Sequence, residues 1–105
     1  MNIKGSLPLL ILVVLSKGAS HGYQIAKAIK QQSSGVLDFK EGTLYPTLHN
    51  LEEQGVIEAF EQEEGGRTRR YYRLTDEGRA VLERQREEWS RYSSAVETIL
   101  RGAKA

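Results

Sequence analysis

The sequence has no cysteine, which excludes disulfide staples and thiolate zinc sites. Proline occurs twice, and methionine and tryptophan once each. There is no apolar run long enough to span a bilayer. The longest, Leu7–Leu15, falls well short of the roughly 20 residues required. It follows a single base, Lys4, and precedes no small-residue cleavage pattern, so it is a poor match to an export signal. A cytoplasmic location without membrane attachment is expected. Histidine is nearly absent as well. His21 has only His49 for company, far along the chain, and no carboxylate or thiol near it at ligand spacing. A local structural role near the start of a helix suits it better than a metal or catalytic one. No nucleophile triad and no glycine-rich nucleotide loop is present. Neither an enzyme nor a cofactor nor a metal site is expected.

What is present fits one small folded domain. The 105 residues are 39% hydrophobic and 28% charged, an ordinary balance for a globular chain. A chain of this length buries little more than ~60% of its unfolded surface, so its core is modest and help from a partner is plausible. The formal charge of +1 conceals separated blocks. Residues 1–50 carry a surplus of +3, residues 51–66 hold six glutamates and no base, and residues 67–79 return to +3. Local basic surface binds polyanions even when the average charge is near zero.

Periodicity divides the chain into five elements. Residues 6–16 form an apolar helix, with Ser6 as its cap, Pro8 in its first turn and Gly18 beyond its end. It should be buried around most of its circumference. A second helix runs from about Ser20, its expected cap, to Gln32, with Tyr23, Ile25, Ala26 and Ile29 inward and Lys27, Lys30 and Gln31 outward. A third spans about Glu41–Gln54 on the stripe Leu44, Leu48 and Leu51, with Gly55 as a C-terminal cap. Pro46 is free of cost only in a first turn, which points to a start nearer Thr43. Glu52 and Glu53 oppose the helix dipole at the far end. Two β-rich runs then flank Gly65-Gly66 as a hairpin, an acidic strand (Glu58, Glu61, Glu63, Glu64) beside a basic one (Arg67, Arg69, Arg70, Arg73). Strand alternation sends Tyr71 and Tyr72 to opposite faces, one of them to the core. Thr75 caps a last helix reaching about Leu100.

The fold class expected is mainly α with a small β-hairpin: a winged helix-turn-helix over residues 1–75 and a long dimerisation helix over 76–105. In that arrangement the third helix enters a major groove and the wing lies against backbone phosphates or the minor groove.

The strings His21-Gly22-Tyr23, Gly42-Thr43-Leu44-Tyr45-Pro46-Thr47-Leu48, Leu51–Ile57 and Gly66-Arg67 with Arg70-Tyr71-Tyr72-Arg73-Leu74-Thr75 and Gly78 run in order along nearly the whole chain. This pattern resembles the PadR-like transcriptional regulators, and the length resembles their short subgroup with a single C-terminal dimerisation helix. The resemblance implies a cytoplasmic homodimer that binds a partly palindromic double-stranded DNA operator, commonly as a ligand-responsive repressor. The chain departs from it at Ala19, where the family often has proline. His49 and Asn50 fill positions that vary in the family.

Lys40, Thr43, Tyr45, Pro46, His49, Arg67, Arg69 and Arg70 are therefore the expected DNA contacts. Six of them have a plainer alternative. Tyr45 would pack on the second helix, Thr43 cap a turn, Lys40 sit solvated in a loop, and the arginines neutralise the acidic strand. Arg73, deeper in its strand, is expected to be structural or ion-paired. Leu82, Trp89, Tyr92, Val96 and Ile99 form a heptad-like stripe on a charged helix, suited to a second copy of the chain. Similarity to short family members also implies that Trp89 and its mate admit a flat, aromatic or apolar effector between them. A competing reading is a winged-helix adaptor that does not read DNA, since the acidic block beside the wing would repel phosphate.

Overall fold

The structure is a computed structural model and describes residues 4–102. A short 3-10 turn, Lys4–Ser6, leads into α1 (Leu7–Ser16). There follow β1 (Ser20–His21), α2 (Gly22–Gln32), α3 (Glu41–Glu53), β2 (Ile57–Glu64), β3 (Arg67–Leu74) and α4 (Asp76–Leu100). The order and packing are those of a winged helix-turn-helix whose wing is the β2–β3 hairpin.

One core serves α1, α2, α3, the sheet and the start of α4. Leu7, Ile11, Leu12 and Leu15 of α1 meet Ile25 and Ile29 of α2 and Leu44, Leu48 and Leu51 of α3. Tyr72 and Leu74 of β3 and Leu82 of α4 close it. Burying a side chain of this size contributes about 1.5–3 kcal/mol before entropy is charged against it. The other side of α1, with Leu9, Leu10, Val13 and Val14, remains half-buried. The expected near-complete burial of α1 is thus met in full on one side only, the other being packed against the core in part.

Leu82 is a correction of the same kind. It was expected in the dimer stripe, yet it is 3% exposed within the chain's own core, because the first turns of α4 lie back across α1. Gly78 is buried there too, and the division expected after residue 75 passes through this shared core.

The termini of the helices show which polar groups hold them. Thr75 caps α4, its hydroxyl accepting the Gly78 N–H at 3.0 Å and donating to the Gly55 carbonyl at 2.7 Å. Val56 N–H reaches the Leu51 carbonyl and Gly55 N–H that of Glu52, the paired bonds that end a helix at a left-handed residue. Ser6 holds the N-cap position of α1 without a side-chain cap bond. Ser20 is not the cap of α2 but pairs in β1 opposite Tyr72, and His21 caps the helix instead. α3 begins at Glu41, not near Thr43, because the Lys40 carbonyl already accepts from the Thr43 and Leu44 N–H groups. Pro46 therefore lies inside the helix. It forgoes the bond to the Gly42 carbonyl at a solvent-exposed turn.

The sheet has three antiparallel strands in the order β1-β3-β2. The register sets Phe60 and His21 on either side of Tyr71, and Ala59 and Ser20 on either side of Tyr72. Tyr72 faces the main core, as alternation requires. Tyr71, on the opposite face, is buried as well, beneath His21 and Phe60.

Candidate nucleic-acid interface

α3 turns Leu44, Leu48 and Leu51 inward and leaves Tyr45, Pro46 and His49 exposed, with Thr43 half-buried beside them. Tyr45 does pack on α2, yet 43% of it stays accessible. Its phenol lies over Gly22, where an added Cβ would come within 2.5 Å of Tyr45 Oη. Glycine at the first residue of α2 thus lets the ring lie flat on that helix end. Partial burial, followed by the Glu41 carboxylate, pushes the phenol pKa up, so the hydroxyl remains a neutral donor. His49 stands 3.4 Å from Glu53 on the exposed face.

Lys40 precedes α3 as its N-cap residue, and its Nζ lies 3.3 Å from Asp38 Oδ2. Lys30 of α2 reaches the same carboxylate at 3.6 Å. The Lys40 hydrogen bond, with help from Lys30, lowers the Asp38 pKa. These residues rim an open groove of about 820 Å³ between α2 and α3, lined also by Tyr23, Lys27, Leu44 and Tyr45. Lys27 and Lys30, read from the sequence as part of the solvent face of α2, stand on this rim. Their signal was the i,i+3 spacing of two bases on the solvent face of α2.

The wing turns on Gly65-Gly66, with φ of +57° and +80°, the geometry of a tight hairpin turn that side chains rarely adopt. Its arginines divide sharply. Arg67, beside the turn, is exposed and has no ion pair among the described residues. Arg73 pairs with Glu58 at 3.1 Å and lies 4.6 Å over the Phe60 ring, as its depth in the strand suggested. Arg69 and Arg70, expected at the DNA, are both engaged elsewhere. Arg70 holds both oxygens of Glu52 at 2.9 and 3.1 Å. That removes part of the conflict between Glu52 and the α3 dipole. Arg69 Nη1 lies 2.9 Å from Nε2 of His21 and 3.3 Å from its Nδ1.

His21 itself is 6% exposed and caps α2, its Nδ1 accepting the Gln24 N–H at 3.3 Å. Tyr71 meets it edge-to-face at 5.3 Å, and the Tyr71 hydroxyl donates to the Glu64 carboxylate. Burial first, then the Arg69 charge, lower the His21 pKa from 6.5, with Glu64 pulling the other way. The unfolded chain therefore binds more protons than the folded one as pH falls below that value. The neutral ring's contribution to stability is present above the unfolded pKa and lost as pH falls toward the folded one. Urea midpoints should drop between about pH 7 and pH 5.5 in the wild type. His21→Asn, which keeps a capping acceptor, should flatten that dependence. An equally steep decline in the variant would show that the protons act elsewhere.

Among the described residues no group of three His, Cys, Asp or Glu could hold a metal ion, and no helix is long and apolar enough to cross a membrane. With this geometry in place, the comparison with known proteins is direct. The Transcriptional regulator PadR-like family matches residues 11–84. The chain belongs to the PadR-like family of transcriptional regulators. It is 42% identical over 84 residues to Transcriptional regulator YqjI of Escherichia coli, a match covering 80% of this chain and 39% of that protein. A solved transcriptional regulator from Clostridium thermocellum is 34% identical with a TM-score of 0.84, covering 91% of both chains. Bacillus subtilis PadR in complex with operator DNA is 30% identical with a TM-score of 0.69, covering 75% of this chain and 45% of that one.

The remaining stripe residues of this PadR-like chain lie on α4 beyond Leu82. Trp89 is 37% exposed, Tyr92 45%, Val96 36% and Ile99 76%. The Trp89 and Tyr92 rings sit 6.0 Å apart, tilted by 40°. Leu100, next to Ile99 at the end of α4, is equally open at 75%.

Proposed function

We propose that this regulator binds an operator in double-stranded DNA as a cytoplasmic homodimer and represses transcription, without catalysing a reaction. α3 enters the major groove with Thr43, Tyr45, Pro46 and His49 toward base edges and backbone, while Lys40 and Arg67 meet phosphates. The observation that carries this reading is the outer face of α3, where Tyr45, Pro46 and His49 stay exposed, in an architecture similar to that of Bacillus subtilis PadR, solved in complex with operator DNA. Part of the acidic block is engaged within the chain, which weakens the case for a non-DNA adaptor. Glu52 and Glu58 are held by Arg70 and Arg73, and Glu64 takes the Tyr71 hydroxyl.

The dimer half of the proposal rests on α4. The molecule is 61 Å long and 29 by 22 Å across, and Trp89, Tyr92, Val96, Ile99 and Leu100 extend as an open apolar stripe beyond the core. The half-buried side of α1 supplies a second apolar surface of the same chain. A second copy covers both. A flat apolar effector between Trp89 and its mate is part of the same proposal, and the paired Trp89 and Tyr92 rings favour it.

Binding to mixed-sequence duplex across a salt series tests the DNA reading. The logarithm of affinity should fall linearly with the logarithm of salt, with a slope of about −0.9 per phosphate neutralised. Absence of binding at low salt would leave the adaptor reading in its place.

A further inference from the structure

We propose that Arg69 and Arg70 act as positioning residues that brace the wing against the helix-turn-helix, and that Arg67 is the wing arginine that meets DNA. This rests on the DNA-binding reading above and assigns the roles within it.

Neighbouring residues of a strand face opposite sides, so Arg69 and Arg70 leave β3 in opposite directions. On one face Arg70 ties β3 to the last turn of α3 through both oxygens of Glu52. A two-bond guanidinium–carboxylate contact fixes angle as well as distance. On the other face Arg69 lies across the ring nitrogens of His21, at the first turn of α2. Tyr71 packs on the same ring and donates to Glu64, at the end of β2 next to the turn. The contacts then continue past His21. Gly22 follows it and lies beneath the phenol of Tyr45. The wing tip is thereby linked to the recognition helix by two routes, one on each face of the sheet, and neither passes through the apolar core.

The hairpin needs such bracing. Its strands are 8 residues long, and at about 3.3 Å per residue they reach about 26 Å, so a swing of about 10° at the base moves the tip by about 5 Å. A hydrogen bond to phosphate tolerates a few tenths of an ångström. Arg69 and Arg70 lie on the tip half of β3, where a brace has the most leverage. Arg67, between them and the turn, is the arginine left exposed and without an ion pair among the described residues.

Glu52→Gln probes the Arg70 brace and His21→Asn the Arg69 brace. Neither removes a positive charge. If charge alone governed, Glu52→Gln would raise affinity for duplex by removing a repulsive carboxylate. Bracing predicts the opposite sign. Both variants should lose about three- to tenfold in operator affinity, the range of one lost hydrogen bond. The salt slope and mixed-sequence affinity should change little. Arg67→Ala should weaken operator and mixed duplex together and flatten the slope by about 0.9 per subunit. Thermal unfolding of each variant separates bracing from loss of fold, and the two braces are independent should one variant fold poorly. Unchanged or increased operator affinity in whichever of the two brace variants folds would overturn the bracing, as would an Arg67→Ala slope equal to wild type. A wild-type chain that binds no duplex would instead overturn the DNA reading, and the assignment of the wing with it.

Discussion

Trp89→Ala is expected to raise the dimer dissociation constant by at least about 30-fold, because a buried aromatic at a dimer seam typically contributes 2 kcal/mol or more. Both subunits lose the ring at once. Trp89 begins the open part of α4, one turn ahead of Tyr92, and 37% of it is exposed. Truncation after Arg86 should go further and give a folded monomer. The cut leaves Gly78, Val81 and Leu82 in place. A cut before Leu82 would remove core and report on folding instead. Operator affinity should fall with the dimer, since two half-sites reinforce each other only while the subunits are joined. Sedimentation over a concentration series measures the first effect and duplex binding the second. An unchanged dimer constant in both Trp89→Ala and the truncation would place the interface elsewhere. A dimer that survives Trp89→Ala and, by calorimetry, fails to bind a flat aromatic cation that the wild type binds would assign the ring to an effector cavity.

The second large effect is on the fold. Gly78→Ala should destabilise the protein by roughly 3 kcal/mol or more, at or beyond the usual range for overpacking. The new Cβ would stand 2.0 Å from the Val56 carbonyl oxygen and 3.0 Å from its carbon. A Cβ has no rotamer by which to escape, and its neighbour is backbone at the turn that ends α3. α4 would have to lift from that turn, taking Leu82 out of the core and breaking the Thr75 bond to Gly55. Against a total stability of about 5–15 kcal/mol, this is a large share. Urea denaturation measures it, and a change within about 0.5 kcal/mol would contradict the packing described. Gly22 makes a useful contrast, for the atoms in its way belong to the movable end of Tyr45.

Much of this architecture is legible in the sequence because periodicity is local. The Leu44, Leu48 and Leu51 stripe, the Gly65-Gly66 turn and the Thr75 cap each announce their element within a few residues. β1 is not legible. Ser20 and His21 carry no strand pattern and are extended only because Tyr71 and Tyr72 pair with them. The same holds for partners brought together from distant positions. Strand register sets Glu61 opposite Arg70, yet Arg70 turns to Glu52, because the end of α3 lies there in space. His21 is recognisable as a structural histidine, but its hold on Arg69 depends on where the hairpin crosses α2. Leu82 shares the heptad of Trp89 and Val96, and only the path of α4 over α1 separates core from open stripe. The exposed residues of α3 were readable as a group, since a helix shows its solvent face through what its apolar stripe omits.

The central claim is that two copies of this chain, joined through α4, place α3 and Arg67 on an operator. Selection of bound sequences from random duplex tests it most directly. The predicted result is enrichment of a two-fold symmetric sequence whose half-sites lie about one helical turn apart, or a multiple of it. Binding to that sequence should be at least about 10³-fold tighter than to mixed duplex at the same salt. Recovery of no preferred sequence, or of a single unrepeated half-site bound by one copy, would contradict it.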